Sequence, residues 1–384
     1  MVTHGVGFGF GAGRLYPRSL KGREVTPRRA LFPAPPFDGL MTGGSEDDIP
    51  ESLPRVEVRQ SPGRGLGVFA VDAVPAYSCI LEDYASLSLS GGEDLPQLWL
   101  KYLVLPPEDR EAFDALGTPE HQLKKESAII AKLLERGYGE SEAGQMARVS
   151  SRFIGNSFKT DEEGSKWLHA LFATVARVNH SCTPNALSHY RFSTGAEYVF
   201  ALRDIQPGEE VEISYFDTTK PLAERSARMA TWSFQCRCPA CEATIRADYE
   251  RLLAAVQEWS HLDRGLQYRH GARTPGLPQR IQTAISVAEF DRFPWLRASL
   301  AGLYGNLTGA LMNHRRPVRE VADSLEQAAL WKERTCGRDH PEAIMMRVRV
   351  KTMRDDDKAN SEKRSKRLEE LARSLGADNV YFVS

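Results

Sequence analysis

Hydrophobic and polar residues alternate with two different periods along this chain. From Arg55, short runs rich in β-branched and aromatic residues are separated by glycine and proline, as in VEVRQ, GLGVFAV and YSCILEDYASLSL. This pattern is typical of strands joined by tight turns. Two further strands are predicted around the PGE turn in EYVFALRDIQPGEEVEISYFD. The pattern therefore predicts a β-rich region over residues 55–245.

Helical patterns occur in two other places. Within residues 90–150, PPEDREAF has the proline and early acids of a helix start, and HQLKKESAIIAKLLERGYG ends in glycine. We interpret this block as a helical insertion between strands. From Arg246 onward the apolar residues recur at helical spacing, which predicts an all-α domain over 246–384. The fold class expected from the whole pattern is α+β.

Residues 1–50 follow neither period. They begin with GVGFGFGAGR and continue with mixed proline and arginine, which predicts a disordered tail. The glycines do not follow a strand and do not match GxGxxG, so a nucleotide-binding loop is not predicted. Six basic residues lie between Arg14 and Arg29 against the single acid Glu24, a weak resemblance to an organelle transit peptide.

Composition narrows the partners and the location. The 384 residues include 50 Lys and Arg against 51 Asp and Glu, a net charge of −1, so no global basic field favours nucleic acid or an acidic membrane. The sequence contains no run of 18 apolar residues and no apolar segment typical of a secretory signal. We expect an intracellular protein of the nucleus, the cytoplasm or both, with no membrane segment and no direct binding of nucleic acid.

Six cysteines are too few for a disulfide scaffold and indicate a metal or catalytic role. Three of them form a Cys-x-Cys-x-x-Cys cluster suited to zinc: Cys236, Cys238 and Cys241. Structural zinc requires a fourth ligand, and Cys182 in the turn-rich NHSCTPN segment is the strongest candidate. Cys79 and Cys336 compete for that place, but their positions in a strand and a helical segment favour small buried hydrophobic residues.

Four segments in this order resemble the SET-domain lysine methyltransferases, especially the SET and MYND subfamily and its fungal relatives. They are GRGLGVFA at 63–70, FIGNSF at 153–158, NHSCTPN at 179–185 and GEEVEISYFD at 208–217, followed by CRCPAC. The resemblance implies a β-rich SET fold over 55–245, a post-SET zinc lobe at about 232–245 and threading of the NHSC segment past the GEE segment. A second cysteine and histidine array is missing from the sequence, so the MYND finger is absent.

The resemblance also assigns site residues. The residues expected to bind S-adenosylmethionine are Gly63, Arg64, Gly65, Asn156, Asn179, His180 and Phe234. Tyr215 is the expected catalytic residue and forms the substrate channel with Trp232, and Cys182 is the expected fourth zinc ligand. Each has a structural alternative: Asn179 and Asn185 as turn formers, His180 as a core histidine, Tyr215 as a core aromatic, and Trp232 and Phe234 as packing on the zinc lobe.

The chemistry of methyl transfer explains the importance of Tyr215. The accepting lysine amine must be neutral, whereas free lysine has a pKa of about 10.4. A tyrosine hydroxyl at the end of a narrow channel can accept a hydrogen bond from the amine and orient its lone pair. We therefore expect S-adenosylmethionine-dependent methylation of lysine in a histone or another protein. The alternative is a catalytically idle SET scaffold that binds partners through its helical domain.

Three further features suggest partners. An acidic lip near the expected site can attract a basic peptide, or can equally be a solvated turn: Glu197, Asp204, Glu209, Glu210, Glu212 and Asp217, with Arg203 as the one base. SLEQAALWKERTCGRDHPEAIMMR weakly resembles a tetratricopeptide-like helix pair, a platform for partner proteins or a purely structural lid. The KRSKR run, with Lys363, Arg364, Lys366 and Arg367, is either an import signal or a solvated helix face.

Overall fold

The computed structural model describes residues 23–24, 53–91, 93–160, 169–191, 194–256, 259, 262 and 274–374. The strands in this part of the chain are β1 (Arg23–Glu24), β2 (Val56–Ser61), β3 (Gly65–Ala70), β4 (Cys79–Leu89), β5 (Phe158–Lys159), β6 (His169–Phe172), β7 (Asn179–His180), β8 (Ala186–Arg191), β9 (Ala196–Ala201) and β10 (Glu210–Ile213). The α-helices are α1 (Leu95–Leu103), α2 (Pro107–Asp114), α3 (Glu120–Glu135), α4 (Glu140–Asn156), α5 (Leu222–Thr231), α6 (Ala243–Ala255), α7 (Leu277–Ala288), α8 (Leu300–Asn313), α9 (Val318–Cys336) and α10 (Pro341–Ser374).

The first sheet has the strand order β1-β2-β3-β10-β7. β2 and β3 form an antiparallel hairpin in which Ser61 pairs with Gly65. The turn between them requires a positive φ at Gly63 (74°) and at Gly65 (79°), which glycine adopts without steric cost. β10 is antiparallel to β3 but parallel to β7. This parallel pairing brings the NHSCTPN segment beside GEEVEISYFD.

The second sheet has the order β5-β6-β4-β9-β8 and is antiparallel throughout. β9 lies between β4 and β8, and all six of its residues are buried. It therefore lacks the alternation of exposed and buried residues that a solvated strand shows. The hydrophobic core of the β-rich region lies on these sheets and includes Phe153, Phe158 and Phe172.

The helical insertion expected over residues 90–150 is confirmed by α1 to α4. α1 begins with a capping box in which Asp94 and Gln97 satisfy each other's backbone N–H groups. α4 supplies the largest buried face, including Met146 and Phe153. The α+β class with a helical C-terminal region is likewise confirmed.

The predicted tail lies almost entirely outside the described residues. Its described part, Arg23–Glu24, pairs antiparallel with Val58 and Glu57 of β2. These two residues therefore form an edge strand, which corrects the prediction of disorder at this point.

The turn VPAYSC, which leads into β4, contains no glycine. Tyr77 in this turn nevertheless adopts a positive φ of 68°. A bulky residue in this region is uncommon and requires support from its surroundings. The Tyr77 hydroxyl accepts a hydrogen bond from Arg297 at 3.2 Å, and the Arg334 guanidinium lies 5.3 Å from its ring centroid. The Tyr77 N–H donates to the Ala201 carbonyl at 2.9 Å.

The chain divides into two compact units. The first comprises residues 1–260 with 289–298 and 334–336, and it therefore includes α6, unlike the predicted boundary at 245/246. The second comprises 261–288, 299–333 and 337–384. Among the described residues, no helix combines the length and the apolar character needed to cross a membrane. The KRSKR residues lie in α10, with exposed side chains.

Candidate functional site

A cavity of about 1170 Å³ opens beside the β2–β3 turn. Its wall is formed by the turn itself, by the β7 segment, by α5 and by the cysteine knuckle. Of the predicted cofactor-binding residues, five lie in this wall: Gly63, Arg64, Asn179, His180 and Phe234.

Arg64 is the charged residue of the turn, and two carboxylates bind it. Its guanidinium forms ion pairs with Glu210 and Glu212 of β10. Burial raises the pKa of Glu212 to about 7, the Arg64 guanidinium opposes that change, and the Glu210 carboxylate adds to it. The ion pairs from Arg64 to Glu210 and Glu212 therefore hold the β2–β3 turn against β10.

Gly67 explains why the glycine motif extends into β3. A Cβ at this position would collide with the Glu210 carboxylate and would lie 3.1 Å from Asn179 Nδ2. Asn179 Nδ2 donates to Glu210 at 2.7 Å and to the Leu66 carbonyl at 3.1 Å. Gly67 therefore makes room for a protein carboxylate.

Asn185 fixes the other end of the NHSCTPN segment. Its amide donates to the Glu210 carbonyl at 2.8 Å, and its Oδ1 accepts the Glu212 N–H at 2.8 Å. The side chain thus ties its segment to the backbone of β10, which is a longer-range role than the local turn considered from the sequence.

His180 is buried, and both of its ring nitrogens form hydrogen bonds within the protein. Nδ1 accepts the Tyr215 N–H at 3.1 Å, so this nitrogen is unprotonated and Nε2 carries the proton. Nε2 lies 3.3 Å from Cys182 Sγ and donates to it. Burial lowers the pKa of His180, in agreement with this neutral tautomer. The ring geometry matches the core-histidine alternative, and it links Tyr215 to the cysteine cluster.

Tyr215 is 2% exposed and lies two residues after the end of β10. Its hydroxyl donates to the Val178 carbonyl at 2.8 Å, and burial raises its pKa. The ring contacts His180 and Phe234, two residues of the cavity wall, at centroid distances of 5.1 Å and 6.1 Å. Trp232 contacts the same ring edge-on at 5.9 Å.

Phe216 completes an aromatic cluster that the sequence analysis did not identify. Its ring lies 4.5 Å from His180 and 5.5 Å from Trp232. The position of Phe216 inside GEEVEISYFD was the available signal. Together with Tyr215, Trp232 and Phe234, it forms an apolar surround beside the cavity.

The four cysteines expected to bind zinc come together. The sulfur atoms of Cys182, Cys236, Cys238 and Cys241 all lie within 4.8 Å of one another. Tetrahedral zinc with Zn–S distances of about 2.3 Å separates its sulfurs by about 3.8 Å, so the donor set fits zinc. Hydrogen bonding from Cys182 lowers the pKa of Cys236 and brings that of Cys238 to about 6. Cys79 lies elsewhere, in β4.

A buried arginine supports the knuckle. The side chain of Arg225 is 0% exposed, and its NH1 group donates to Cys241 Sγ at 3.3 Å. It also donates to the carbonyls of Lys220 and Ala240 at 2.9 Å and 3.2 Å. No motif in the sequence marked this residue, because its function depends on the folded knuckle.

The structure does not bring Asn156 to the cavity. This residue ends α4, is 1% exposed, and donates to the carbonyls of Gly117 and Arg152 at 2.8 Å and 2.7 Å. Its amide therefore ties α4 to the loop after α2, and the cofactor-binding role predicted for Asn156 stays a prediction. Gly65 belongs to the same turn as Arg64 but does not line the cavity.

The acidic lip also needs correction. Glu197 is 1% exposed inside β9 and cannot attract a peptide. Glu209 is paired with Arg203, and Glu210 and Glu212 share the single cation Arg64, so two cations balance two of these three carboxylates.

Residues 65–216 match the family described as SET domain. This part of the chain is therefore a SET domain, which confirms the resemblance drawn from the sequence. Human N-lysine methyltransferase SMYD2 is 44% identical over 82 residues, which cover 21% of this chain and 18% of that protein. Zebrafish (Danio rerio) N-lysine methyltransferase SMYD2-B is 43% identical with the same coverage. Arabidopsis thaliana histone-lysine N-methyltransferase ATXR2 is 42% identical over 74 residues, 19% of this chain and 16% of that protein. The aligned segment thus spans less than a fifth of each relative.

Proposed function

We propose that this chain transfers a methyl group from S-adenosylmethionine to a lysine side chain of a histone or another protein. The SET domain and the similarity to lysine methyltransferases support this proposal. The single observation behind it is that Tyr215 contacts His180 and Phe234, two residues of the wall of a cavity that also includes Arg64 and Asn179.

The cavity wall fits the chemical groups of S-adenosylmethionine. Phe234 offers an aromatic face for adenine, and Arg64 with Asn179 offers polar groups for the amino acid moiety. The carboxylates of Glu210 and Glu212 exceed the single Arg64 cation, which favours a ligand with net positive charge. When bound, the cofactor would supply a methyl group activated by its sulfonium.

Tyr215 and its aromatic neighbours would prepare the lysine amine. An apolar surround disfavours the ammonium form and lowers a lysine pKa toward the neutral amine. The Tyr215 hydroxyl is fixed by donating its proton to the Val178 carbonyl, which leaves its lone pairs oriented to accept an N–H of the substrate. Orientation of the attacking nitrogen is the main contribution that these residues would make.

We also propose that Cys182, Cys236, Cys238 and Cys241 bind one structural zinc ion. Four thiolates close the coordination shell and leave no position for a substrate. The His180 N–H donated to Cys182 and the Arg225 N–H donated to Cys241 would stabilise the negative charge of these ligands.

The decisive experiment is Tyr215→Phe, with methyl incorporation into a basic-protein mixture and cofactor affinity measured on one preparation. We expect turnover to fall by roughly 10²-fold or more, with cofactor binding retained, because one lost hydrogen bond in a preorganised site has this magnitude. Tyr249→Phe is the matched control, since Tyr249 is also buried and donates to a backbone carbonyl, that of Thr218. It should leave turnover unchanged.

Full activity of Tyr215→Phe would remove the catalytic assignment. A wild-type protein that binds S-adenosylmethionine yet methylates nothing would instead support the idle scaffold, with partner proteins bound through the helical region.

A further inference from the structure

Two carboxyl groups are buried side by side in the second sheet, outside the cavity wall. Asp83 of β4 and Glu197 of β9 are directly opposite each other in the antiparallel register. They are 4% and 1% exposed. Opposite residues on such strands have Cβ atoms about 4.5–5.5 Å apart. Two full negative charges at this distance in a buried site repel each other strongly.

Asp83 forms hydrogen bonds to the segment that leads into β7. Its Oδ2 accepts the N–H groups of Thr174 and Val175 at 2.6 Å and 2.9 Å. These residues begin the short 3₁₀ turn Val175–Arg177. Val178 follows directly, and its carbonyl accepts the Tyr215 hydroxyl. The Asp83 carboxylate thus fixes the start of a segment whose end contacts Tyr215 and contributes Asn179 to the cavity.

Glu197 is the group that can disturb this arrangement. Burial raises its pKa to about 8, the Ser188 side chain opposes that change, and the Asp83 carboxylate adds to it. From β8, Ser188 and Tyr190 face it, Tyr190 being directly opposite in register. In the described part of the chain, Asp83 is the charged group that acts on it. Two backbone N–H donors on Asp83 favour its carboxylate form, so near neutral pH the proton of the pair is on Glu197.

We propose that Asp83 is a positioning residue for the Val175–Asn179 segment, and that ionisation of Glu197 weakens its hold on that segment. The catalytic part of this inference rests on the proposed methyltransferase function. When Glu197 ionises, its charge repels the Asp83 carboxylate. This repulsion moves the Asp83 carboxylate away from the Thr174 and Val175 N–H groups. The Val178 carbonyl then no longer holds the Tyr215 hydroxyl in a fixed direction.

Glu197→Gln tests the proton dependence, because glutamine keeps the size and hydrogen bonding of the protonated acid and cannot ionise. The ratio of variant to wild-type turnover is measured from pH 6.5 to pH 9.5 on one peptide. Both enzymes use the same lysine, so its own titration cancels in the ratio. We expect a ratio near one at pH 7 that rises at least threefold by pH 9. A ratio that stays flat overturns the inference.

Asp83→Asn tests the positioning role. We expect turnover to fall at least tenfold while the KM for the peptide changes less than threefold, because the segment acts on Tyr215. Asp72→Asn is the matched control, since Asp72 also accepts a backbone N–H, that of Arg55 at 3.0 Å, on the protein surface. Equal turnover in the two variants would contradict the proposal.

A readout that needs no activity separates this inference from the proposed function. Hydrogen–deuterium exchange of residues 174–180 is compared between wild type and Glu197→Gln at the same pH. We expect the ratio of wild-type to variant exchange rates to rise at least threefold between pH 7 and pH 9. If this rise is found without any methylation, the proposed function fails and the structural coupling stands. If methylation is found and the ratio is the same at both pH values, this inference fails alone.

Discussion

Arg64 shows how single side chains build the candidate pocket. Its guanidinium lies in the cavity wall and forms ion pairs with Glu210 and with Glu212, which lines the same cavity. Glu210 also accepts the Ser61 hydroxyl at 2.8 Å and the Asn179 amide at 2.7 Å. One carboxylate therefore positions three groups from two segments, the β2–β3 turn and β7, and its displacement would disturb all of them together.

Gly67→Ala tests this arrangement. A Cβ there collides with the Glu210 carboxylate, which cannot move freely because its partners fix it. We expect S-adenosylmethionine affinity to fall at least tenfold and stability to fall by about 1–3 kcal/mol, as overpacking does elsewhere. Calorimetric binding and thermal unfolding measure the two effects.

Gly309→Ala in α8 is the control, because its Cβ meets nothing within 4 Å. A helical glycine replaced in open space should gain roughly 0.5–1 kcal/mol of stability. Unchanged cofactor affinity in Gly67→Ala would show that Glu210 does not organise the pocket.

At the scale of elements, the zinc lobe joins two distant parts of the chain. Cys182 comes from the segment after β7, and the other three cysteines follow α5. The fully buried Arg225 of α5 donates to a cysteine sulfur and to two carbonyls. A buried guanidinium is costly without a negative partner. The Glu250 carboxylate lies 3.9 Å from the Arg225 guanidinium, and four thiolates on a divalent ion add a net charge of about −2. Arg225 therefore has two sources of negative charge, and the zinc ligands depend on it for a hydrogen bond and a positive charge.

Arg225→Met should weaken zinc binding, because methionine fills part of the volume but supplies neither charge nor donors. We expect at least a tenfold loss of zinc affinity, measured by competition with a chelator on folded protein, independently of methyl transfer. Arg228→Met on the same helix is the control, since Arg228 is exposed. Equal zinc affinity in the two variants would refute the dependence.

The same scale shows which elements the sequence could predict. β2, β3 and β4 were predictable because each is a run of β-prone residues bounded by glycine or proline turns. α1 to α4 were predictable because the signals that start and stop a helix are local in sequence. β5 has two residues and β6 four, and they are defined by pairing with each other and with β4, which a local pattern does not show. Asn156 shows a similar limit: its motif predicts a pocket residue, whereas its contacts with Gly117 and Arg152 depend on how α4 packs and cannot be read from the motif.

At the scale of the whole molecule, the candidate site depends on pairings far apart in sequence. Arg64, Asn179 and Glu212 meet because β10 lies between β3 and β7. The family motifs predicted the members of this set, but only the folded sheet shows that Glu210 neutralises Arg64 and that Glu197 is in the core. The predicted location in the nucleus or cytoplasm stays a prediction.

The pH dependence of the free energy of unfolding tests the effect of buried Glu197 on the stability of the first unit. Its pKa is raised from 4.5 to about 8 in the folded protein, chiefly by burial. Below pH 4.5 Glu197 is protonated in both the folded and the unfolded chain, so its titration does not change the free energy of unfolding there. As pH rises from 4.5 to 8, the unfolded chain loses a proton that the folded chain retains, so the free energy of unfolding falls by up to about 1.4 kcal/mol per pH unit. The upper limit of this loss is about 5 kcal/mol, reached above pH 8.

Glu197→Gln should remove that slope and be more stable than the wild type by several kcal/mol at pH 8.5, but similar to it at pH 4.5. Denaturant unfolding of both proteins at the two pH values measures the difference, and a constant difference across pH would show that Glu197 ionises as readily in the folded protein as in the unfolded chain.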